Sequence, residues 1–493
     1  MRSLPNPLRF PVVSATLLVV LSLSTGCPKP KSDDSAQDKL PLEGVQLTLL
    51  VVDDPALAAA VRKTEGEWRT QTGSTMDVVE TTEDAVLAQT APSADALIGP
   101  SHLLGVLAER DGLSPIPESL RGEGQEDWNE IFELARSHEA AWGSSTILGV
   151  PFGSPVLVCY YRADLLKRLR KSPPRTWDEY HELAALLADR ANLGDAAPPA
   201  DAPWSGAMEP LGPGWAGLVL MARAAPGAKH PDNYSTWFKV DTMEPLISGP
   251  PVVRALVQMV TAAKHGSAAQ FEANPDDVRA AFWRGECGLA LTWPTAAVPL
   301  DAETQAAGSK IAAGVVELPG SREHFNIDEG AWQRRDSGDD LSVPLLATSG
   351  RMGVVFERSD HPAASAQLLL WLSALSTDPP LSARSPWTTL YRHGQTTLSE
   401  NWVEKPMGQA LADEYAKQTE ATFERQQWAF ALRIPGRKEY LAALDEAVLA
   451  ALRGERPPAA ALYQAAEKWR EITQRLGVEQ QRTAYQRSLG LEP

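Results

Sequence analysis

The chain is poor in the residues that metal cages and redox sites require. Three Cys and eight His are spread over 493 residues, no two His stand three or four apart, and no Cys sits in a C-x-x-C. That pattern excludes the usual zinc-ligand spacings. There is no G-x-x-x-x-G-K-[ST] loop, no G-x-S-x-G elbow and no H-E-x-x-H. Phosphate-cradling, serine-hydrolase and metalloprotease chemistry lose their signatures with them. Positive charge is short as well: 46 Lys and Arg face 63 Asp and Glu, for a net charge of −17. An acidic surface argues against a nucleic-acid partner and against a broad electrostatic hold on anionic lipid. Long apolar runs are missing too. Val12 to Leu23 falls short of the roughly 20 residues of a membrane span.

That short run has another reading. Arg2 and Arg9 form a basic start, Val12 to Leu23 an apolar core, and Ser24-Thr25-Gly26-Cys27 the end of a signal peptide over 1–26. The end resembles a lipobox, which implies cleavage before Cys27 and lipid attachment to it. Ser24 stands where Leu is usual, with Leu23 one step earlier. Residues 27–44 are polar, contain Pro and lack periodicity, as suits a flexible tether. Cys159 and Cys287 both lie in apolar runs, where a buried free thiol is the simple reading. The spacing leaves open whether they meet.

From Val45 the pattern is α/β. Val45 to Val52 is nearly continuous apolar, as in a strand covered on both faces. Asp53-Asp54-Pro55 caps a helix whose buried face is Leu57, Val61 and Trp68 and whose end is Gly73. Adjacent carboxylates rarely face one substrate atom together, so capping outweighs catalysis for this pair. Strands at Met76 to Val79 and Ala94 to Ile98, with helices between and after, give a β-α-β-α-β-α order and a doubly wound sheet. Gly212-Pro-Gly-Trp-Ala-Gly217 fits G-x-G-x-x-G but follows no clear strand. It reads as a turn into a helix. Ser321 to Asp340 is polar and unpatterned, an inserted loop.

One stretch organises the remainder. Gly149-Val-Pro-Phe-Gly-Ser-Pro turns into a strand at Val156 to Tyr161, followed by Arg162-Ala-Asp164-Leu165. Pro174-Arg-Thr-Trp-Asp-Glu179 then opens a helix, with Thr176 and Glu179 spaced as a capping box. Further on come Phe282-Trp-Arg-Gly-Glu286 with a strand ending in Trp293, the strand after Ser349-Gly-Arg-Met-Gly, and the closing helix after Ile434-Pro-Gly-Arg-Lys-Glu-Tyr440. These four motifs, in this order, resemble the extracellular solute-binding proteins of bacterial ABC importers, in the group that includes maltose-binding protein.

The resemblance covers most of residues 45–477. It implies a two-lobe periplasmic-binding-protein-like fold (type II), each lobe a doubly wound sheet flanked by helices, with a cleft between the lobes. Lobe one would hold 45–152, lobe two 153–292, a return to lobe one 293–345 with the polar loop, and mainly lobe two 346–493. Crossovers are expected near Gly153, Thr292 and Leu345. The implied function is capture of a small solute, a carbohydrate by the resemblance, and delivery to ABC permease subunits. The protein would be a monomer with no enzymatic activity and no cofactor. It would be lipid-anchored to the inner membrane and face the periplasm or exterior. A ligand-presenting sensor or scaffold lipoprotein, and a ferric-ion binder using Tyr160-Tyr161, are the alternatives. Neighbouring strand residues point to opposite faces, so only one of those tyrosines can line a cleft.

The candidate site is aromatic. Fifteen Trp outnumber ten Phe and nine Tyr. A flat ring covers the C–H face of a sugar, and charged or amide groups bond its hydroxyl rim. By resemblance the solute-facing residues are Tyr161, Trp293 and Tyr440. Turn positions at the ends of elements add Asp53, His102, Trp142, Trp215, Arg351 and Arg433. Trp387 stands at a similar turn.

Overall fold

The computed structural model describes residues 40–110, 112–375, 377 and 379–492. The expectations for the signal peptide and for Cys27 fall outside them. Within these residues two mixed sheets carry the fold. The first contains β1 (Gln46–Val52), β2 (Thr75–Thr81), β3 (Ala96–Pro100), β4 (Gly149–Pro151) and, far along the chain, a strand at Arg351–Val355. The second contains β5 (Val158–Arg162), β6 (Ser205–Met208), β7 (Cys287–Thr292) and β8 (Ala313–Glu317). With Arg351–Val355 as β9, the orders are β2-β1-β3-β9-β4 and β8-β5-β7-β6.

β1 pairs parallel with β2 and β3, whereas β9 runs antiparallel between β3 and β4. In the second sheet β5 is antiparallel to both neighbours and only β6 and β7 are parallel. The lobes are therefore mixed sheets flanked by helices, not two purely parallel ones. β1 is buried almost throughout, from Leu47 to Val52, because helices cover both faces.

The chain passes between sheets at 152–157 and again between Leu346 and Arg351. Gly153 takes φ +102°, and a Cβ there would lie 2.3 Å from the Thr389 carbonyl. Only glycine fits that turn. Thr292 is not a crossover. After Trp293 the chain forms the helix Ala302–Gly308 and returns to the same sheet as β8. Residues 293–345 thus do not return to the first sheet, and the segment after 346 supplies that sheet's β9. An apolar run announces a strand but not the sheet it joins.

Local details differ in instructive ways. The first helix breaks into Pro55–Arg62 and Glu65–Thr72 at Thr64, whose hydroxyl bonds the Val61 carbonyl at 2.8 Å. Thr176 caps its helix through Glu179 N at 3.3 Å, but the Glu179 carboxylate accepts from Arg175 N, so only half of the capping box forms. The stretch 321–342 is not a plain loop. It holds the hairpin Glu323–Asn326 and Ala331–Arg334, and Trp332 lies 3.4 Å from the Arg254 guanidinium. The tether ends before 44, since Leu42 packs on the core and donates to the Thr72 carbonyl at 2.8 Å. Cys159 and Cys287 are buried free thiols, and burial pushes both pKa values up.

Candidate functional site

The register brings one edge of each sheet's chemistry together. Val52 pairs with Thr81, and Pro100 with Arg351. Asp53-Asp54, Thr82-Glu83, Ser101-His102 and Arg351 consequently share one edge of the first sheet. Asp53 sits at φ +48° and its carboxylate accepts from Glu83 N at 2.8 Å. Asp54 is buried. It caps the helix Pro55–Arg62 through Leu57 N and accepts from Arg351 Nε at 2.9 Å and from the Ser385 hydroxyl. Arg351 is buried too, and its Nη2 donates to the Asp53 carbonyl at 3.2 Å. Burial lowers its pKa, and the Asp54 carboxylate opposes that.

In the second sheet Met208 pairs beside Ala290, so Trp293 and the turn leading to Trp215 share an edge. Trp215, Trp293 and Trp387 form one cluster. Trp215 lies 5.4 Å from Trp293 and 6.5 Å from Trp387, the latter pair within 10° of parallel. Trp293 Nε1 donates to the Pro386 carbonyl at 3.3 Å, and the Arg351 guanidinium lies 5.9 Å from the Trp387 ring. The cluster therefore links the first sheet's ion pair to the second sheet's tryptophans. A cavity of about 800 Å³ has none of these three tryptophans among its described lining residues. It is lined by Ala56, Ala59 and Lys63 on one side, and by Thr295, Leu300 and Ala383 on others.

Charged groups bridge the lobes at the same edge. The helix Arg437–Leu452 packs on Ala216–Ala228 of the second lobe. From its first turn Lys438 reaches Asp84 at 2.5 Å and Glu83 at 3.6 Å. Burial works against the Glu83 charge. The His102 hydrogen bond and the cations Lys438 and Arg437 outweigh it and hold its pKa at about 2. His102, 3.3 Å from Glu83, is held at about 4 by burial and by Arg437, so its ring is neutral at pH 7. Gly214 N and Gly217 N, from the G-x-G-x-x-G stretch, donate to Asp445 at 2.8 and 2.6 Å. The helix N-terminus that could have cradled a phosphate already holds an internal carboxylate.

Four of the nominated residues lie elsewhere. Tyr161 is half-buried in the second core, its ring against Gly314. Because β5 and β7 are antiparallel, Tyr161 pairs with Leu289 while Val158 pairs with Thr292. The end of β5 and the end of β7 are thus opposite edges, and Tyr161 cannot join Trp293. Tyr160 points to the other core and donates to Glu404 at 3.0 Å, so the two tyrosines do not converge on one ion. Tyr440 is fully buried between Phe238 and Trp469, with its hydroxyl 2.8 Å from Thr473. Trp142 packs over Gly105, where a Cβ would lie 2.3 Å from its ring, and donates to Glu109 at 2.7 Å. Arg433 is buried and staples the Glu139 and Ser488 carbonyls at 2.8 and 2.7 Å.

Sequence reasoning also missed contributors. Asp54 stood in view only as a cap. Glu83, Arg437 and Lys438 look like ordinary helix-start charges. Buried Glu404, bonded to Tyr160, Trp283 and Thr295, has no sequence signal.

Two α/β lobes joined by crossing segments, with tryptophans and paired charges between them, define a two-lobe binding-protein architecture. A family profile described as bacterial extracellular solute-binding protein matches residues 59–378, and the chain belongs to that family. Its members work outside the cytoplasm and bind rather than transform solutes. No curated protein sequence matches the chain. Among solved structures, the sugar-binding protein MalE from Xanthomonas citri is 17% identical with TM-score 0.65, over 89% of this chain and 100% of that one. A solute-binding protein from Agrobacterium radiobacter K84 in complex with ribitol is 16% identical with TM-score 0.61, over 88% and 100%. A cyclo/maltodextrin-binding protein with maltotetraose is 17% identical with TM-score 0.58, over 88% and 98%. Among the described residues no helix is long and apolar enough to cross a membrane, and no cluster of His, Cys, Asp or Glu suits a metal.

Proposed function

We propose that this chain captures a neutral carbohydrate or polyol between its lobes and delivers it to an ABC-type importer. The observation that carries the reading is the tryptophan cluster of Trp215, Trp293 and Trp387 beside the Asp54–Arg351 pair. Rings supply faces for C–H groups, and the buried Asp54–Arg351 pair holds the neighbouring edge in place. The sugar and polyol ligands of the structural neighbours support the same class. Closure follows from differential affinity: a solute that touches both lobes stabilises the closed state. The Lys438 contacts to Glu83 and Asp84 add to that state. A thermal-shift screen over neutral sugars and polyols tests the proposal. A ligand at 100 times its Kd adds about 2.7 kcal/mol of stability. A complete absence of shifts across the screen rejects it.

The chain acts as a monomer tethered by lipid on Cys27, by the same proposal. The lipobox-like end and the polar residues after it support the anchor. Cys27→Ser should move the protein from the membrane fraction to the soluble or uncleaved pool. Wild-type protein found free, with a start other than residue 27, would end the anchor idea.

A further inference from the structure

A second cavity, of about 520 Å³, lies away from the tryptophan cluster and shares none of its residues. Its walls come from 137–144, from 229–237 after the helix Ala216–Ala228, from 426–433, and from the C-terminal helix Val478–Ser488. The volume suits a small organic ligand. Three features describe its chemistry.

The first is aromatic. Trp428 is half-buried with its ring 4.0 Å from that of His138, and Tyr234 stands 70% exposed at the mouth. An exposed ring beside a half-buried one offers a face to a flat or pyranose ring. The second is charge. Among the described residues that line the cavity none is acidic, in a chain with 63 Asp and Glu, while Lys229 and Arg433 are both there. The third is incomplete pairing. Lys229 Nζ donates only to the carbonyls of Asn233 and Tyr234, at 3.4 and 3.2 Å, and among the described residues it forms no ion pair with a carboxylate. Lys229 is partly buried, and that burial lowers its pKa. Arg433 Nε and Asn233 Oδ1 are buried without a hydrogen-bond partner. A partly buried ammonium without a carboxylate partner is incompletely compensated, and a bound anion relieves that cost. The carboxylates bonded to or acting on these walls are engaged elsewhere: Glu139 bonds Ser154 and faces Arg433, Asp328 bonds Asn233 Nδ2, and Glu492 accepts from Ser144 N and Oγ.

We propose that this cavity is a second binding site, for a small ring-bearing carboxylate, with Lys229 holding the carboxylate and Tyr234 and Trp428 the ring. The site goes beyond the interlobe capture of a neutral solute and does not depend on it. The ring can belong to a sugar acid or to an aromatic acid, and the test separates them.

Titrate the soluble chain by calorimetry at constant ionic strength with D-glucuronate and with 4-hydroxybenzoate. Glucose and 4-hydroxybenzyl alcohol serve as uncharged counterparts. One acid is expected to bind at least tenfold more tightly than its counterpart. Lys229→Gln should raise that acid's Kd tenfold or more by removing a charge-assisted hydrogen bond. Tyr234→Ala, a change at an exposed side chain, should raise it severalfold and keeps the test valid if Lys229→Gln disturbs its loop. Trp215→Ala should leave acid binding unchanged, which keeps this site distinct from the interlobe one. The proposal is overturned if neither acid binds. It is equally overturned if Lys229→Gln and Tyr234→Ala both bind like wild type, or if Trp215→Ala abolishes acid binding.

Discussion

Truncating Trp215 and Trp293 separately gives the sharpest test of the interlobe site. Trp293 is only 2% exposed and donates to the Pro386 carbonyl, whereas Trp215 is half-buried at the N-terminus of its helix. The near-parallel rings of Trp215 and Trp387 are 6.5 Å apart. A pyranose between them needs about 3.5–4 Å to each face, or roughly 7–8 Å in all. A solute therefore stacks between them only if the rings part, and the ring it meets with the smaller structural burden is Trp215. Trp215→Ala should cost about 1–3 kcal/mol of binding, or roughly 5- to 150-fold in Kd. Trp293→Ala should instead lose about 3–5 kcal/mol of stability in the ligand-free protein, as for a core aromatic. Calorimetric titration with a sugar found in the screen, beside urea unfolding of each variant, separates the effects. Unchanged affinity in Trp215→Ala, with a large loss of apo stability, would refute the assignment.

Two further outcomes are expected. Arg351→Met leaves Asp54 buried without its cation and should destabilise the fold by about 3–5 kcal/mol. Asp54→Asn combined with Arg351→Met should cost less than the sum of the single changes, and strict additivity in urea unfolding would remove the pair from the account. His102 has its folded pKa at about 4, below its ordinary 6.5, so the unfolded chain binds the proton first as pH falls. Its contribution is intact above the ordinary value and is lost on the way down to the folded one, up to about 3 kcal/mol. His102→Gln should flatten the stability profile across that window, and a wild-type slope in the variant would falsify the reading.

The fold was legible where local and global signals agree. The apolar run from Val45 to Val52 could only be a covered central strand, and Asp54 before Pro55 could only open a helix. Gly73 closes the second half of that helix at φ +80°, as its position implied. What stayed hidden depends on pairing. The polar segment after Ser321 gives no period because its hairpin is four residues a side and gains its hold from Trp332 against Arg254. β9 joins the first sheet between β3 and β4, and nothing in its five residues names those partners.

The site was legible by halves for the same reason. Reading turn residues at strand ends assumes that every strand end reaches one edge, which holds for parallel strands alone. It therefore placed Asp53 and His102 at one edge of the first sheet, while the family resemblance that nominated Trp293 also nominated Tyr161, whose strand runs the other way. Asp54 and Arg351 are 297 residues apart, and nothing in either neighbourhood announces the other. Arg433 shows the converse. Position alone marked it as a solute ligand, yet both its terminal nitrogens are spent on main-chain carbonyls that hold 139 and 488 together. A charged residue near a cleft is free to bind solute only if the fold has not already claimed its donors. By that criterion Arg351, committed to Asp54 and the Asp53 carbonyl, positions the rim, while the half-buried ring of Trp215, between Trp293 and Trp387, is the one the proposed reading offers to solute.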